Sequence, residues 1–332
     1  MPSKWVCPQV FFGARFPAVW ITCFLSGFAC CVVIPRSLHL RVDSPLVSVS
    51  TESATFQNGS VKLHAVIAGP SDGPVVVLLH GFPEFWYGWH EQIEPLAAAG
   101  FRVVVPDQRG YNLSSKPPGV ASYALTELVS DVIAIADQLG QQRIFLAGHD
   151  WGAAVAWGTA ILHPRRIAKL VVINVPHPSV MLKFLNTRTQ QLLRSWYIFF
   201  FQLPWLPEAF LSAFNYRVAA RSLVRSSRPG TFSSEDLIGY RAAWSQPGAL
   251  TGMINWYRAL FRHRTKFTDR TVHVPTRILW GERDAFLLSE MAKESLRYCD
   301  GAELFTFADA SHWLQHEEPA RVSELLVDFF RR

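Results

Sequence analysis

Residues 143–162 read RIFLAGHDWGAAVAWGTAIL, a succession typical of a strand, a tight turn and a helix. The apolar run 143–147 indicates a buried strand, and the alanine-rich run 151–162 indicates a helix. Two glycines bracket the turn, with Asp150 at its tip. A turn of this kind presents one side chain at the carboxyl edge of a sheet, where open α/β sheets collect their reactive groups.

Asp150 occupies the position at which a Gly-x-Ser-x-Gly turn carries a serine nucleophile. A carboxylate is a poor nucleophile toward esters and amides, but it displaces a leaving group from a saturated carbon and forms an ester with its own side chain. The pattern therefore predicts an alkyl electrophile, such as an epoxide or an alkyl halide. An Asp before a helix is also a common N-cap, but the strand on its other side favours the nucleophile.

An ester on Asp150 must be hydrolysed, which requires a base to activate water and an acid to orient that base. Asp284 follows the predicted strand 276–280, and His312 follows the predicted strand 303–307. The chain order of nucleophile, acid and histidine is the one that accompanies this type of turn. We predict these three residues as the catalytic set. Two carboxylates nearby rival Asp284 as the acid: Glu282 and, less strongly, Asp309.

The segment His80-Gly81-Phe82-Pro83, taken with the three predicted catalytic residues, resembles the epoxide hydrolases of the α/β-hydrolase fold from about residue 61 onward. The resemblance implies an oxyanion hole formed by the backbone N–H groups of Phe82 and Trp151. It also implies two phenols, Tyr197 and Tyr257, that hold and protonate the epoxide oxygen. The alternative for each tyrosine is an ordinary core aromatic with an unrelated hydrogen-bond partner.

From residue 59 onward the chain, which is 49% hydrophobic and 17% charged, alternates strand-like and helix-like segments. Strands are predicted at 61–67, 75–79, 102–105, 143–147, 169–174, 276–280 and 303–307, and helices at 124–139, 151–162 and 319–330. The alternation predicts an α/β fold with a mainly parallel sheet and helices on both faces. The resemblance implies that this is the α/β-hydrolase fold.

The aromatic, helix-like segment 178–271 interrupts that alternation and predicts a helical cap over the strand ends, closing a largely apolar pocket. The shape of this pocket depends on cap side chains such as Phe199, Phe200, Trp205 and Trp244. We divide the chain into an N-terminal extension, two core segments and the cap between them: 1–43, 44–177, 178–271 and 272–332. The charged segment 107–114 is interpreted as a structural turn after a strand.

Two dehalogenase families resemble this chain in fold and in their aspartate nucleophile. Haloalkane dehalogenases typically carry Asn or an acidic residue after His-Gly, where this chain has Phe82. Fluoroacetate dehalogenases carry arginine after the nucleophile, where this chain has Trp151. A non-catalytic binding protein of the same fold is a third alternative. The complete set of predicted site residues favours an enzyme that takes an apolar epoxide and water.

Residues 16–34 carry no charge and are long enough to cross a bilayer, so a single membrane anchor is the favoured interpretation. A cleaved secretory signal and a cytoplasmic protein with a non-native extension are the alternatives. The cysteines have no disulfide or metal-site spacing, so no metal is predicted. No cofactor is predicted either.

The formal charge of +6 comes with no nucleic-acid-binding motif, so no nucleic-acid partner is predicted. Cations of the cap form either a solvated face or a surface that rests on anionic lipid: Arg217, Arg221, Arg225, Arg228, Arg258, Arg262, Arg264 and Lys266. The sequence leaves the oligomeric state open.

Overall fold

A computed structural model describes residues 49–332, and in that part of the chain eight strands form one sheet. The strands are β1 Thr51–Asn58, β2 Val61–Ala68, β3 Val75–Leu79, β4 Arg102–Pro106, β5 Ile144–His149, β6 Ile167–Ile173, β7 Thr276–Gly281 and β8 Ala302–Phe307. Their order across the sheet is β1-β2-β4-β3-β5-β6-β7-β8. The β1–β2 and β2–β4 pairs are antiparallel and the other pairs are parallel, which confirms the predicted mainly parallel sheet.

Helices cover both faces of this sheet, and a group of them is inserted between β6 and β7. The core helices are α1 His90–Ala98, α2 Leu125–Gln138, α3 Trp151–Leu162, α10 Glu290–Ser295, α11 Leu314–Glu317 and α12 Pro319–Arg331. The inserted helices are α4 Pro178–Thr187, α5 Thr189–Arg194, α6 Trp196–Phe200, α7 Leu206–Ser226, α8 Ser234–Trp244 and α9 Ala249–Arg262. They form the cap, and its boundaries at residues 178 and 271 stay a prediction.

The core consists of two apolar layers, one on each face of the sheet. Along β3 the side chains of Val77 and Leu79 belong to the layer that contains α2 and α3, whereas Val76 and Leu78 belong to the layer that contains α1 and α12. This alternation explains why the central strands read as continuous apolar runs in the sequence. Burial of each such side chain stabilises the fold by about 1.5–3 kcal/mol.

The sequence reading missed strand β1. Its sequence, TESATFQN, is polar and largely exposed, and only Phe56 is fully buried, so it carries no apolar run. It forms a hairpin with β2 whose turn contains Gly59 at a φ of 57°, a conformation that glycine adopts without strain. The strand therefore extends the sheet at an antiparallel edge, away from the parallel centre that carries the predicted catalytic residues.

The parallel strands place the predicted catalytic residues at one edge of the sheet. Asp150 follows β5, Asp284 follows β7 and His312 lies in the loop after β8. Because these strands are parallel, their carboxyl ends meet at the same edge. Among the helices of residues 49–332, none combines the length and the apolar character needed to cross a membrane. The predicted anchor, residues 16–34, lies outside the described residues.

Candidate active site

Asp150 occupies a sharp turn between β5 and α3, with φ 49° and ψ −124°. Such a backbone is costly for a residue with a side chain and occurs where the surroundings enforce it. A Cβ atom at Gly148 or Gly152 would collide with neighbouring backbone, and one at Gly81 would collide with the Asp150 side chain. Asp150 stands at the N-cap position of α3, but its side chain makes no capping hydrogen bond to that helix.

The two carboxylate oxygens of Asp150 face different partners. Oδ1 accepts a hydrogen bond of 2.7 Å from the backbone N–H of Phe82, and Oδ2 lies 3.4 Å from Nε2 of His312. Burial raises the pKa of this carboxyl, but the hydrogen bond and charge of His312, together with the Phe82 N–H, outweigh burial and lower it. Asp150 is therefore ionised at neutral pH, with Oδ2 as the oxygen free of backbone donors. No hydrogen bond joins Trp151 N to Asp150 in residues 49–332.

Asp284 is the carboxylate that orients His312, as Oδ2 lies 2.7 Å from His312 Nδ1. Its other oxygen accepts hydrogen bonds from the backbone N–H groups of Phe286 and Leu287, at 2.7 and 3.0 Å. The two rival acids, Glu282 and Asp309, are exposed, and Asp309 pairs with Arg283. The geometry therefore favours Asp284 over both.

Asn174 is a site residue that the sequence reading did not single out. It directly follows β6 and donates a 2.8 Å hydrogen bond from Nδ2 to Oδ2 of Asp284, while its Oδ1 accepts from Gly281 N. Its φ of 50° marks another constrained backbone position at the same edge of the sheet. The signal in the sequence is a polar residue at the end of an apolar strand. The predicted strand 169–174 includes Asn174 as its last residue, and this hides the signal.

His312 is buried between two carboxylates, and this determines its charge. Burial lowers the pKa of its imidazole, but the charges and hydrogen bonds of Asp284 and Asp150 outweigh burial and raise it to about 10. At neutral pH the imidazolium therefore shares its charge between both acids. Esterification of Asp150 would remove one of those negative charges and lower the pKa of His312.

A buried polar cluster around Glu84 lies beneath the predicted catalytic residues and has no signature in the sequence. Glu84 interacts with His149, His316 and Tyr240, at 2.9, 2.7 and 3.1 Å. The other ring nitrogen of His149 donates to the backbone carbonyl of His312 at 2.8 Å. Burial raises the pKa of Glu84, but the hydrogen bonds from the two histidines outweigh it and hold the pKa well below its usual value. The cluster fixes the backbone that carries His312.

A pocket of about 470 Å³ lies between the predicted catalytic residues and the cap. Asp150, His312 and Phe82 line it on the core side, and Tyr197 and Tyr257 line it on the cap side. Its other walls are mostly apolar, and the polar cap residues that reach it are Gln190, Arg194 and Ser222. Of the four cap residues expected to shape the pocket, Phe200 and Trp244 line it, whereas Phe199 and Trp205 do not.

The two tyrosines approach the same part of this pocket from different helices. Tyr197 belongs to α6 and Tyr257 to α9, and their ring centroids lie 5.9 Å apart at an angle of 80°. In residues 49–332 neither hydroxyl has a protein acceptor for its proton. Burial, and then the charge of Asp150, raise the pKa of both phenols. Both hydroxyls are therefore protonated at neutral pH and free to donate to a ligand.

The charged turn after β4 has structural partners. Asp107 accepts hydrogen bonds from Trp86 N at 2.9 Å and Asn112 Nδ2 at 2.9 Å, and it pairs with His64 Nδ1 at 2.7 Å. Arg109 pairs with Asp131. These contacts agree with the structural interpretation of segment 107–114. Within the described residues, no group of three or more His, Cys, Asp or Glu side chains is arranged to hold a metal ion.

Comparison with known proteins agrees with the fold. The model of the α/β hydrolase fold family matches residues 74–319. AB hydrolase superfamily protein YfhM of Bacillus subtilis (strain 168) is 47% identical over 271 residues, covering 82% of this chain and 95% of that protein. Human epoxide hydrolase 4 is 40% identical over 282 residues, covering 83% of this chain and 77% of that protein. The crystal structure of Bacillus megaterium epoxide hydrolase in complex with an inhibitor has a TM-score of 0.77 and 28% identity, and covers 84% of this chain and 100% of that one.

Proposed function

Because the chain belongs to the epoxide hydrolases of the α/β hydrolase family, we propose that it converts an apolar epoxide to a vicinal diol. The reaction proceeds through an ester on Asp150. One observation carries the proposal. The ionised Asp150 lies at the floor of an apolar pocket, and two protonated phenols, which have no protein acceptor within residues 49–332, line the opposite wall. This arrangement suits an electrophile whose departing oxygen needs a proton.

In the first step, Oδ2 of Asp150 attacks one carbon of the epoxide while the bond from that carbon to the ring oxygen breaks. The ring oxygen becomes an alkoxide, which a neutral site cannot release without a proton. Tyr197 and Tyr257 hold this oxygen, and one of them donates the proton. The product of the step is a hydroxyalkyl ester of Asp150, with Oδ1 still held by the Phe82 N–H.

His312 supplies and recovers the proton that the reaction cycle needs. When Asp150 becomes an ester it loses its negative charge, so the pKa of His312 falls from its resting value of about 10. The imidazolium then releases its proton, which replaces the proton that the phenol gave to the alkoxide. His312 is thereby neutral at the stage when it must act as a base.

In the second step, neutral His312 removes a proton from water, and the hydroxide attacks the carbonyl carbon of the ester. The tetrahedral oxyanion forms at Oδ1, where the N–H of Phe82 already donates and the N–H of Trp151, at the start of α3, is the second proposed donor. On collapse the bond from the carboxyl carbon to Oδ2 breaks, and the departing alkoxide takes the remaining proton of the attacking water, so that the diol leaves, the Asp150 carboxylate is restored and His312 is again an imidazolium. The sum is epoxide plus water to diol.

A substrate panel with matched variants tests this proposal. Terminal, internal and fatty-acid epoxides are assayed for diol, and chlorinated alkanes and fluoroacetate for halide. We expect diol from at least one epoxide, no turnover with Asp150→Ala, and little change with Asp309→Asn, a carboxylate outside the pocket. Halide release in preference to diol would instead indicate a dehalogenase, and failure of the whole panel would indicate a binding protein.

A further inference from the structure

The mouth of the active-site pocket is surrounded by exposed apolar side chains. Leu193, Trp196 and Phe210 line the pocket, yet their exposed fractions are 70%, 60% and 48%. The apolar wall of the pocket therefore continues onto the outer surface of the cap. Six further large apolar residues of the same segment are exposed: Leu192, Phe199, Leu203, Trp205, Leu206 and Phe214. We call these nine residues the apolar rim, and a concentration of this kind marks an interaction surface.

The backbone at two positions of the apolar rim supports an interaction role. Trp205 and Phe214 are its most exposed residues, at 72% and 79%, and their φ angles are 51° and 54°. Bulky residues rarely adopt positive φ, because their side chains collide with their own backbone. Packing within the protein cannot offset that cost, since both rings are mostly exposed. This strained backbone conformation directs the two rings outward. Strained backbone of this kind is found preferentially at binding sites.

A row of arginines flanks the apolar rim. Arg217, Arg221 and Arg225 are exposed and recur every four residues along α7 after its interruption at 213–216, so they share one face over about 12 Å. They neighbour Val218 and Ser222, which line the pocket. In the described part of the chain none of the three pairs with a carboxylate, whereas Arg228 and Arg258 pair with acids.

We propose that this face of the cap docks on an anionic phospholipid surface, with the pocket mouth directed toward the acyl chains. The acyl region accepts the apolar rim and the phosphates accept the arginine row, which is the pattern of an interfacial membrane-binding surface. A second copy of the chain fits less well, because a two-fold contact would bring the arginine row against itself and close the mouth. The proposal deepens the proposed function, since an apolar epoxide would enter the pocket directly from the bilayer.

Photo-crosslinking tests this docking in the full chain. The protein is mixed with vesicles of phosphatidylcholine, with or without phosphatidylserine, that contain a phospholipid with a diazirine on its acyl chain. After illumination, lipid adducts are mapped by peptide mass spectrometry. Because the readout is local, adducts in peptides from 189–226 are distinguished from adducts in residues 16–34. We expect cap adducts that increase with phosphatidylserine and decrease as salt is added.

Two variants and one control sharpen the test. Arg217→Gln, Arg221→Gln and Arg225→Gln together should reduce cap adducts on anionic vesicles by about 100-fold, at about 1 kcal/mol per cation. Trp205→Asn with Phe214→Asn should reduce them without altering the charge, and Asn tolerates positive φ. The control, Arg165→Gln, Arg297→Gln and Arg321→Gln, removes the same charge from exposed positions outside the cap and should leave cap adducts unchanged.

The outcomes separate this proposal from the proposed function. Cap adducts that are absent, that ignore phosphatidylserine, or that fall equally in the control would overturn the docking. Protein cross-links between two cap segments in place of lipid adducts would assign the face to a second copy and would also overturn it. Turnover of a water-soluble epoxide without vesicles is measured for every variant. Absence of this turnover in the wild type would contradict the proposed function. The map of lipid adducts tests only the docking.

Discussion

Removal of the phenol hydroxyls by Tyr197→Phe and Tyr257→Phe tests the most specific part of the proposed chemistry. Among residues 49–332 neither hydroxyl has a protein acceptor, so their loss leaves no carbonyl or carboxylate of that part of the chain without a donor. Folding stability should therefore change by less than about 1 kcal/mol. The transition state for ring opening, by contrast, loses a hydrogen bond to a developing alkoxide.

The size of the kinetic effect follows from the charge on that oxygen. A hydrogen bond to a charged group contributes about 1.5–3 kcal/mol, and each 1.36 kcal/mol of barrier changes a rate about tenfold. Each single variant should thus slow ester formation by about 10- to 150-fold. The double variant should lose the product of the two factors or more, because no second phenol then replaces the first.

The assay is rapid acid quenching under single-turnover conditions, with the ester measured by intact-protein mass spectrometry. Tyr111→Phe is the matched control, because the Tyr111 hydroxyl is fully buried without a partner in the described part of the chain and its side chain does not line the pocket. That variant should form the ester at the wild-type rate. Ester formation within twofold of wild type in both Tyr197→Phe and Tyr257→Phe would refute the assignment of the phenols as proton donors.

Three further predictions concern His312 and the loop that packs against Asp150. His312→Gln should still form the ester on Asp150 but not hydrolyse it, so intact mass should show a lasting adduct; rapid loss of the adduct would exclude His312 as the base. Because the folded pKa of His312 is about 10 and its ordinary value 6.5, its stabilisation is complete below pH 6.5 and lost as the pH rises toward 10. It amounts to at most about 5 kcal/mol. Urea unfolding should therefore show a steeper loss of stability from neutral to alkaline pH in wild type than in His312→Gln, and equal slopes would contradict this charge state. Gly81→Ala should abolish ester formation, because its Cβ would collide with the Asp150 side chain. The control Gly239→Ala, whose Cβ would meet Phe85 at 3.8 Å, should stay active. An active Gly81→Ala variant would show that Asp150 tolerates displacement.

The meeting of Asp150, Asp284 and His312 at one edge of the sheet could be predicted from the sequence, because parallel strands bring their carboxyl ends together. Apolar runs in the sequence indicate β5, β7 and β8. The residues that follow these strands are therefore expected to lie close together. Strand β1 escaped prediction because an exposed edge strand needs only one buried residue, Phe56, and shows no apolar pattern.

Contacts between distant polar residues could not be predicted in the same way. Glu84 meets His149 and His316, which are 65 and 232 positions away, and no local pattern indicates such pairs. The direction of a cap side chain is equally hidden, since Phe199 and Phe200 are adjacent in sequence and only Phe200 lines the pocket. Asn174 is a polar residue at the end of an apolar strand, which is a signal of a site residue. Its inclusion in the predicted strand 169–174 hides this signal.

The covalent route makes one demand that no other route to a diol shares. In a single turnover with enzyme in excess, performed in heavy-oxygen water, the hydroxide attacks the carbonyl carbon of the ester, so its oxygen stays on the protein. The peptide that contains Asp150 should gain the heavy oxygen in its carboxylate, and the first diol released should carry none. A labelled diol with an unlabelled Asp150 peptide would mean that water attacks the epoxide directly, and would contradict the ester.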